Sequence, residues 1–355
     1  MPIQLSEPSH PTQPDAGRSG VGASVVPLAP RIAVTFAVAL ATALWVYWGY
    51  VRNPGYQSDF GQVLFAARAI VAGQNPYPLV GPGRVVDQPW PLYYPPVAAI
   101  VGLPFVVLPD VPARVCFAFC VSASFTFLLL RHGYRRLPAV MSAAYLQAMS
   151  LLQWSPLMAC AVMAPALGWL VAAKPNIGVA VVAAARDRGT LRTYALGVTA
   201  ALLVSFALVP SWLTDWLHAV RSAPHVRAYV ARPGGALLLL ALLRWRRPEA
   251  RYLMALAVVP TTVGPADALV LFAFPHTYKQ GLVLALLTYV AYFYAATRPP
   301  TPDFAATIAA GAGATLAFVF LPALAAILLR PNEGAAPAWL ERLIRPLPAF
   351  LRGAA

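Results

Sequence analysis

The sequence predicts an all-α integral membrane protein, folded as a polytopic bundle of about ten or eleven transmembrane helices. Of its 355 residues, 59% are hydrophobic and only 11% are charged, whereas soluble domains carry about a quarter charged residues. The formal charge of +14 comes from arginines clustered between apolar runs, which is typical of cytoplasmic loops in membrane proteins. This pattern excludes a soluble fold and argues against nucleic acid as a partner.

Residues 1–30 are rich in Pro, Ser and Gly and hold few large apolar side chains, so we expect a disordered tail. It does not resemble a signal peptide, because the apolar run begins only after this polar stretch. The transmembrane domain should cover residues 31–329, with a second tail at 330–355. Its first span, about 32–51, ends in Trp45, Tyr47, Trp48 and Tyr50, an aromatic belt expected at a membrane interface.

The later apolar runs each need about 20 residues to cross a bilayer. We place them near 95–109, 112–130, 137–153, 156–174, 175–185, 192–211, 234–243, 251–274, 279–297 and 304–329. The runs at 175–185 and 234–243 are too short to cross alone, so we expect half-helices or, at Pro175, a kinked continuation of the preceding helix.

Arginine clusters give the orientation, because short cytoplasmic loops carry an excess of positive charge. The clusters at 186–192 and 244–251 predict that the N-terminus lies inside and that the loop at 52–92 lies outside. The cluster at Arg131, Arg135 and Arg136 falls outside in this count of spans and therefore disagrees with the other two.

The loop at 52–92 is the longest segment between predicted spans, which favours it as the place for function. It should contain a short juxtamembrane helix, capped by Ser58 or Asp59 and closed by Gly73. Asp59 lies in its first turn, where the helix dipole favours the ionised carboxylate. An Asp at a helix start is more often a cap than a base, so both roles remain open.

Several motifs resemble glycosyltransferase family 87, the polyprenyl-phosphate-sugar-dependent membrane enzymes with the GT-C fold. The resemblance covers about residues 30–190 and rests on Ser58-Asp59-Phe60, Gly73-Gln74-Asn75-Pro76-Tyr77, Tyr94-Pro95-Pro96, Gln153 and Lys174-Pro175. Two departures are that Leu152 stands where the family usually has Gly, and that the stretch from Gln153 to Lys174 is short.

This resemblance implies a GT-C-like bundle that moves mannose or a related sugar from a polyprenyl-phosphate donor to a lipid or glycan acceptor. Asp59 would be the general base, and Lys174 would face the departing phosphate. Tyr77, Tyr94 and Gln153 carry over as substrate-binding candidates. The enzyme would lie in the plasma (inner) membrane, in contact with membrane lipids, with its chemistry on the extracytoplasmic face.

Arg68, His276 and Lys279 are further candidates for substrate binding. Arg68 lies on the Asp59 helix, where it either contacts substrate or is solvated or bound to lipid headgroups. His276 and Lys279 share a predicted outer loop, which either binds phosphate or is an ordinary interfacial loop. Lys174 could equally be a lysine that snorkels from a helix end. Asp267 is an acid inside an apolar run, and it is either functional or the cap of a helix broken at Pro265.

Other classes of function were weighed against the transferase. Cys116, Cys120 and Cys160 lie in apolar runs without paired spacing, so we expect no metal site. The sequence has no evident Gly-rich nucleotide-binding loop or DxD pair, which disfavours a nucleotide-sugar enzyme with a bound metal, and we expect no cofactor. A transporter or lipid flippase is the main alternative, because broken helices and intramembrane charges are typical of both. A structural or assembly subunit is a second alternative.

Overall fold

The computed structural model describes residues 26–53, 55–88, 90–131, 133–223, 226–259, 264–274, 277–299 and 304–331, with 339, 342, 343 and 345–348. These residues are almost entirely helical, with one parallel pair of two-residue strands, β1 Val80–Gly81 and β2 Val86–Asp87. The predicted all-α class is confirmed for this part of the chain. Most of the two predicted tails lies outside the described residues, but helix α1 already begins at Leu28, before the predicted boundary.

Thirteen α-helices are described, and several are joined by 3-10 segments. The α-helices are α1 Leu28–Arg52, α2 Asp59–Val71, α3 Pro96–Gly102, α4 Asp110–Leu130, α5 Ala143–Ser150, α6 Ser155–Met163, α7 Pro175–Ala183, α8 Arg188–Leu208, α9 Trp212–Arg221, α10 Pro248–Val258, α11 Tyr278–Ala296, α12 Phe304–Thr315 and α13 Leu321–Leu328. The 3-10 segments are Leu103–Phe105, Tyr134–Met141, Pro165–Ala172, Tyr229–Ala231, Gly235–Arg244 and Pro265–Ala273, and a π turn, Leu316–Phe320, joins α12 to α13.

Four of the described helices are long and apolar enough to cross a membrane: α1, α4, α8 and the continuous stretch Ala309–Leu328. A fifth is possible if α5 and α6, bent by 117° at their junction, count as one span. The sequence predicted about ten or eleven spans. The difference arises because several apolar runs fold as short helices and 3-10 segments. Helix α8 has only 17% of its apolar window buried, which suits a lipid-facing surface.

The apolar run at 95–109 folds as α3 and a 3-10 turn, and both of its ends lie near α2. Gly102 packs against Val63 and Ala67 of α2. The Arg68 guanidinium, also on α2, donates to the carbonyls of Val106 and Leu108 at 3.2 and 2.6 Å. The run therefore stays beside α2, at one end of the molecule, and the prediction of a crossing at 95–109 is corrected.

This correction moves the disagreeing arginine cluster to the same end as the other two. Arg31, at the start of α1, donates to the Phe127 carbonyl near the end of α4. Burial lowers the pKa of Arg136 to about 10, and the neighbouring charges that act on it include Arg186 and Glu249. Arg251 donates to the carbonyls of Ala183 and Ala185 at 2.7 and 2.6 Å. We call this side of the molecule the arginine end.

The predicted span at 251–274 is also broken. Arg330 donates both to Glu249, in the first turn of α10, and to the Phe274 carbonyl, just after the segment Pro265–Ala273. Both described ends of this run therefore lie at the arginine end, and the run is not one continuous span. Asp267, on the segment Pro265–Ala273, is buried in the fold, with 3% of its surface exposed.

Candidate functional site

Ser58, and not Asp59, caps helix α2. The Ser58 hydroxyl accepts a hydrogen bond from the Gly61 amide at 3.2 Å, and Arg114 donates to the same hydroxyl at 3.2 Å. The sequence left both residues open as the cap, and the structure assigns that role to Ser58. The Asp59 carboxylate is therefore available for other contacts.

The backbone of Asp59 is held by the turn between α5 and α6. Its amide donates to the Leu151 carbonyl at 3.0 Å. Leu152, the next residue, has a φ of 48° and is the single non-glycine residue with positive φ among those described. The left-handed conformation reverses the chain and places Gln153 beside the site. Leu152 occupies the position where the resembling family usually has Gly, the residue that adopts this conformation without strain.

The Asp59 carboxylate contacts two residues predicted from the same motif. The Tyr94 hydroxyl donates to Oδ2 of Asp59 in a short hydrogen bond, and Nζ of Lys174 lies 4.0 Å from the same oxygen. Both contacts are to Oδ2, so within the described residues Oδ1 is left for a ligand. The Asp59 side chain is 29% exposed.

The environment of Asp59 shifts its proton affinity. Burial raises the pKa of Asp59 above its ordinary value, and the nearby Lys174 charge and the Tyr94 hydrogen bond offset part of that rise. A carboxylate with a raised pKa is a better proton acceptor than an ordinary one, as long as it stays ionised at the working pH.

Lys174 bridges two carboxylates. Its ammonium donates to Oε1 of Gln153 at 2.8 Å and lies 3.9 Å from Oδ1 of Asp267. Both charged side chains are almost fully buried, with 8% of Lys174 and 5% of Asp267 exposed. Lys174 is thus an internal ion-pair partner, which argues against the alternative of a lysine that snorkels to the interface.

Asp267 is the residue whose importance the sequence indicated least clearly. Its side chain does not cap the segment Pro265–Ala273. It instead accepts from the Ser155 hydroxyl at 3.3 Å, while its Oδ2 is buried without a hydrogen bond in the described part of the chain. We call Asp59, Lys174 and Asp267 the charged triad. With both acids ionised it has a formal charge of −1.

Three breaks in the helices create this arrangement, because each presents a side chain at a helix end. Lys174 precedes Pro175, which disfavours helical backbone at Lys174 and starts α7. Asp267 lies in the first turn after Pro265. The third break is the turn at Leu151–Leu152, which places Gln153 beside Lys174. Irregular backbone at membrane depth is tolerated only where protein or a cavity surrounds it.

Of the other predicted site residues, Tyr77 contacts a residue of the site, whereas Arg68 and Lys279 lie away from it. Tyr77 lies behind the triad and donates its hydroxyl to the Tyr94 carbonyl at 3.0 Å, so it positions Tyr94. Arg68 pairs with Asp110 at 2.5 Å and with carbonyls near the start of α4, and none of its contacts is with the triad. Lys279 lies in a cavity with Glu249 and Arg330 at the arginine end, not in an outer loop beside Asp59. His276 lies outside the described residues.

Sequence reasoning did not identify two side chains that pack around the predicted site residues. The Trp154 ring packs against Tyr94 with centroids 5.8 Å apart, and Ser155 binds Asp267. Both directly follow Gln153, so their closeness to a motif residue was the available signal. A cavity of about 230 Å³, lined by Trp45, Tyr50, Asn53, Tyr56 and Ser150 among others, lies beside the same turn.

The chain matches no family model, and comparisons with curated proteins and with solved structures find no match. The resemblance to glycosyltransferase family 87 therefore stays a prediction that rests on the residues quoted above. The geometry of the charged triad stands independently of that resemblance.

Proposed function

We propose that this protein is a multi-pass glycosyltransferase of the plasma membrane with a GT-C-like bundle. It moves mannose or a related sugar from a polyprenyl-phosphate donor to a lipid or glycan acceptor. The observation that carries the proposal is the set of contacts around Asp59. Ser58 takes the capping role, Tyr94 and Lys174 hold Oδ2, and Oδ1 makes no hydrogen bond or ion pair with any described residue.

The proposed reaction needs one proton acceptor and one leaving group. Asp59 takes the proton from an acceptor hydroxyl as that oxygen attacks the anomeric carbon of the donor sugar. The bond between this carbon and the phosphate oxygen breaks, and polyprenyl phosphate leaves with the electron pair. General-base catalysis of this kind contributes about a hundredfold to ten-thousandfold in rate.

The triad gives Lys174 a role that changes during this reaction. Before proton transfer, two carboxylates share its charge, so it is a weak ligand for a phosphate. When Asp59 becomes protonated, the formal charge of the triad rises from −1 to zero at the moment when negative charge develops on the leaving phosphate. The positive charge of Lys174 is then less compensated, which favours the transition state over the ground state.

The position of α2 supports chemistry on the outer face. The start of α2 lies with the end of α1 and the start of α4, since Arg114 of α4 bonds both Ser58 and Tyr50. The arginine end is the opposite end of α1 and α4. Positive clusters mark the cytoplasmic side, so the Asp59 loop is extracytoplasmic.

A transporter or flippase is the second candidate, and the broken helices favour it. Transporters bind substrates where discontinuous helices meet near the membrane centre, and the turns near Leu152, Lys174 and Pro265 meet at a buried charged triad. In that case Lys174 and the two acids would bind a transported ion or lipid headgroup, and no bond would be cleaved.

Cleavage of the donor separates the two candidates. Purified protein is incubated with a synthetic polyprenyl-phosphate mannose and a membrane extract as acceptor, and free polyprenyl phosphate is measured. The transferase releases polyprenyl phosphate only when acceptor is present, whereas a transporter leaves the sugar–phosphate bond intact. A panel of other polyprenyl-phosphate sugars, including arabinose, identifies the donor.

A further inference from the structure

A second cavity lies at the arginine end, away from the charged triad. It has a volume of about 270 Å³ and lies between α11 and α13. Apolar side chains form most of its lining, contributed by Leu271, Val283, Leu284, Leu287, Ala323 and Ala326. Val283 is 55% exposed, so the cavity opens onto the surface that faces lipid.

Charged side chains line the other end of the cavity. Glu249, Lys279 and Arg330 all contribute. Glu249 forms two ion pairs, with Arg247 at 2.9 Å and with Arg330 at 2.8 Å. Lys279 is exposed and makes no hydrogen bond or ion pair with the described residues. The charged end of the cavity therefore has an excess of positive charge, which favours the binding of an anion.

We infer that this cavity binds one membrane phospholipid with an anionic headgroup, whose phosphate pairs with Lys279 while an acyl chain fills the groove between α11 and α13. Three features support this occupant over a free anion: the mainly apolar lining, the opening toward lipid, and the position at the arginine end. Basic pockets between membrane helices on the cytoplasmic side are known to bind such headgroups. Free phosphate would leave the apolar part unfilled.

The inference does not depend on the proposed glycosyltransferase activity, since the cavity shares no residue with the triad. A bound lipid would join α11 to α13 and stabilise the Arg330 contacts with Glu249 and Phe274. Those contacts hold the start of α10 and the end of the segment Pro265–Ala273, which carries Asp267. Lipid binding would thus stabilise the protein as a whole.

The test uses the full chain, purified in detergent and supplied with phosphatidylglycerol or phosphatidylcholine, and native mass spectrometry counts the retained lipid. We expect one phosphatidylglycerol per chain and at least about tenfold weaker retention of phosphatidylcholine. Both lipids have a phosphate that can pair with Lys279, but the quaternary ammonium of phosphatidylcholine brings a positive charge to an end of the cavity that is already basic, whereas phosphatidylglycerol has a net negative charge. Glycerol phosphate, the headgroup without chains, should not compete at equal concentration.

Two variants test the two parts of the cavity separately. Lys279→Gln should reduce phosphatidylglycerol retention about tenfold, whereas Arg192→Gln removes an exposed cation near the same end and should leave it unchanged. Ala326→Phe should fill the groove and abolish retention, whereas Ala325→Phe, on the exposed side of the same helix, should not. Equal retention of both lipids, or unchanged retention in Lys279→Gln and Ala326→Phe, would overturn the inference.

Discussion

At the scale of single residues, the charged triad is a compromise between burial and pairing. Lys174 and Asp267 are almost fully buried, and such a position is costly for an isolated charge but tolerable for a pair. Asp59, which keeps part of its surface exposed, is the member that a substrate can reach. We therefore expect Asp59 to take the proton, Lys174 to act on the leaving phosphate through its charge, and Asp267 to hold Lys174 in place.

Removal of the lysine charge tests this division. Lys174→Met should destabilise the protein by about 3 kcal/mol, because it leaves two acids without their shared cation. Asp267→Asn in the same chain should restore part of that loss, since it removes one of the two negative charges. Thermal unfolding of both single variants and the double variant measures the coupling. Strictly additive effects would show that Lys174 and Asp267 do not interact.

At Leu152, burial of the side chain stabilises the fold, whereas the left-handed backbone conformation destabilises it. Its side chain is 1% exposed, while its φ of 48° is unfavourable for a residue with a Cβ by about 1–2 kcal/mol. Both Leu152→Ala and Leu152→Gly should destabilise the protein, because the buried side chain is lost.

The order of these two variants is the informative result. Leu152→Gly should be more stable than Leu152→Ala by about 1 kcal/mol, because only glycine relieves the strain. At ordinary positions the order is reversed, so a glycine variant less stable than the alanine variant would contradict the left-handed turn.

At the scale of helices, the arginines serve as much for folding as for orientation. Arg31, Arg244 and Arg251 each donate to carbonyls at or just beyond the C-terminal ends of α4, α13 and α7. Cations at helix C-termini satisfy the last carbonyls and complement the helix dipole. Arg244 is fully buried in this role, so part of the positive charge at this end is structural.

Helix α2 needs its cap to hold Asp59. Ser58→Ala should cost about 1 kcal/mol of stability and reduce turnover about tenfold to a hundredfold, since a small displacement of a catalytic group lowers the rate steeply. Asp187→Ala removes the cap of α8, which lies at the arginine end, and serves as the matched control. The control should lose similar stability without loss of turnover. Equal losses of turnover in both variants would mean that capping of α2 has no specific role.

At the scale of the whole molecule, the run at 95–109 sets the orientation of all later segments, because it stays on the side of the molecule where it starts. Because this run does not cross, the clusters at 131–136, 186–192 and 244–251 share one side, in agreement with the excess of positive charge in cytoplasmic loops. A count of apolar runs alone places the first cluster on the other side.

Cysteine labelling separates these two topologies. In a chain whose exposed Cys116 and Cys120 are replaced by Ala, a cysteine at Gln88 should react with a membrane-impermeant thiol reagent in intact cells. Cysteines at Gly189 and at Tyr134 should not react. Labelling at Tyr134 together with Gln88 would restore the crossing at 95–109 and contradict the fold described above.

The sequence predicted the helical class, the α2 helix and the grouping of Asp59, Tyr94, Gln153 and Lys174, because these follow from local patterns and a quoted motif. It could not predict that the run at 95–109 stays beside α2, or that both ends of the run at 251–274 lie at the arginine end, since a buried short helix and half of a membrane span have the same composition. The partnership of Lys174 with Asp267 depends on the placement of the second run. Residues 93 positions apart in the chain give no local signal of contact.

The measurement that tests the central claim most directly compares wild type with Asp59→Asn in the release of polyprenyl phosphate. Asn is nearly isosteric with Asp but cannot accept the proton. We predict that the variant expresses, binds the lipid-linked donor and releases polyprenyl phosphate at least about a hundredfold more slowly. A well-folded Asp59→Asn protein with near-normal release would contradict Asp59 as the base.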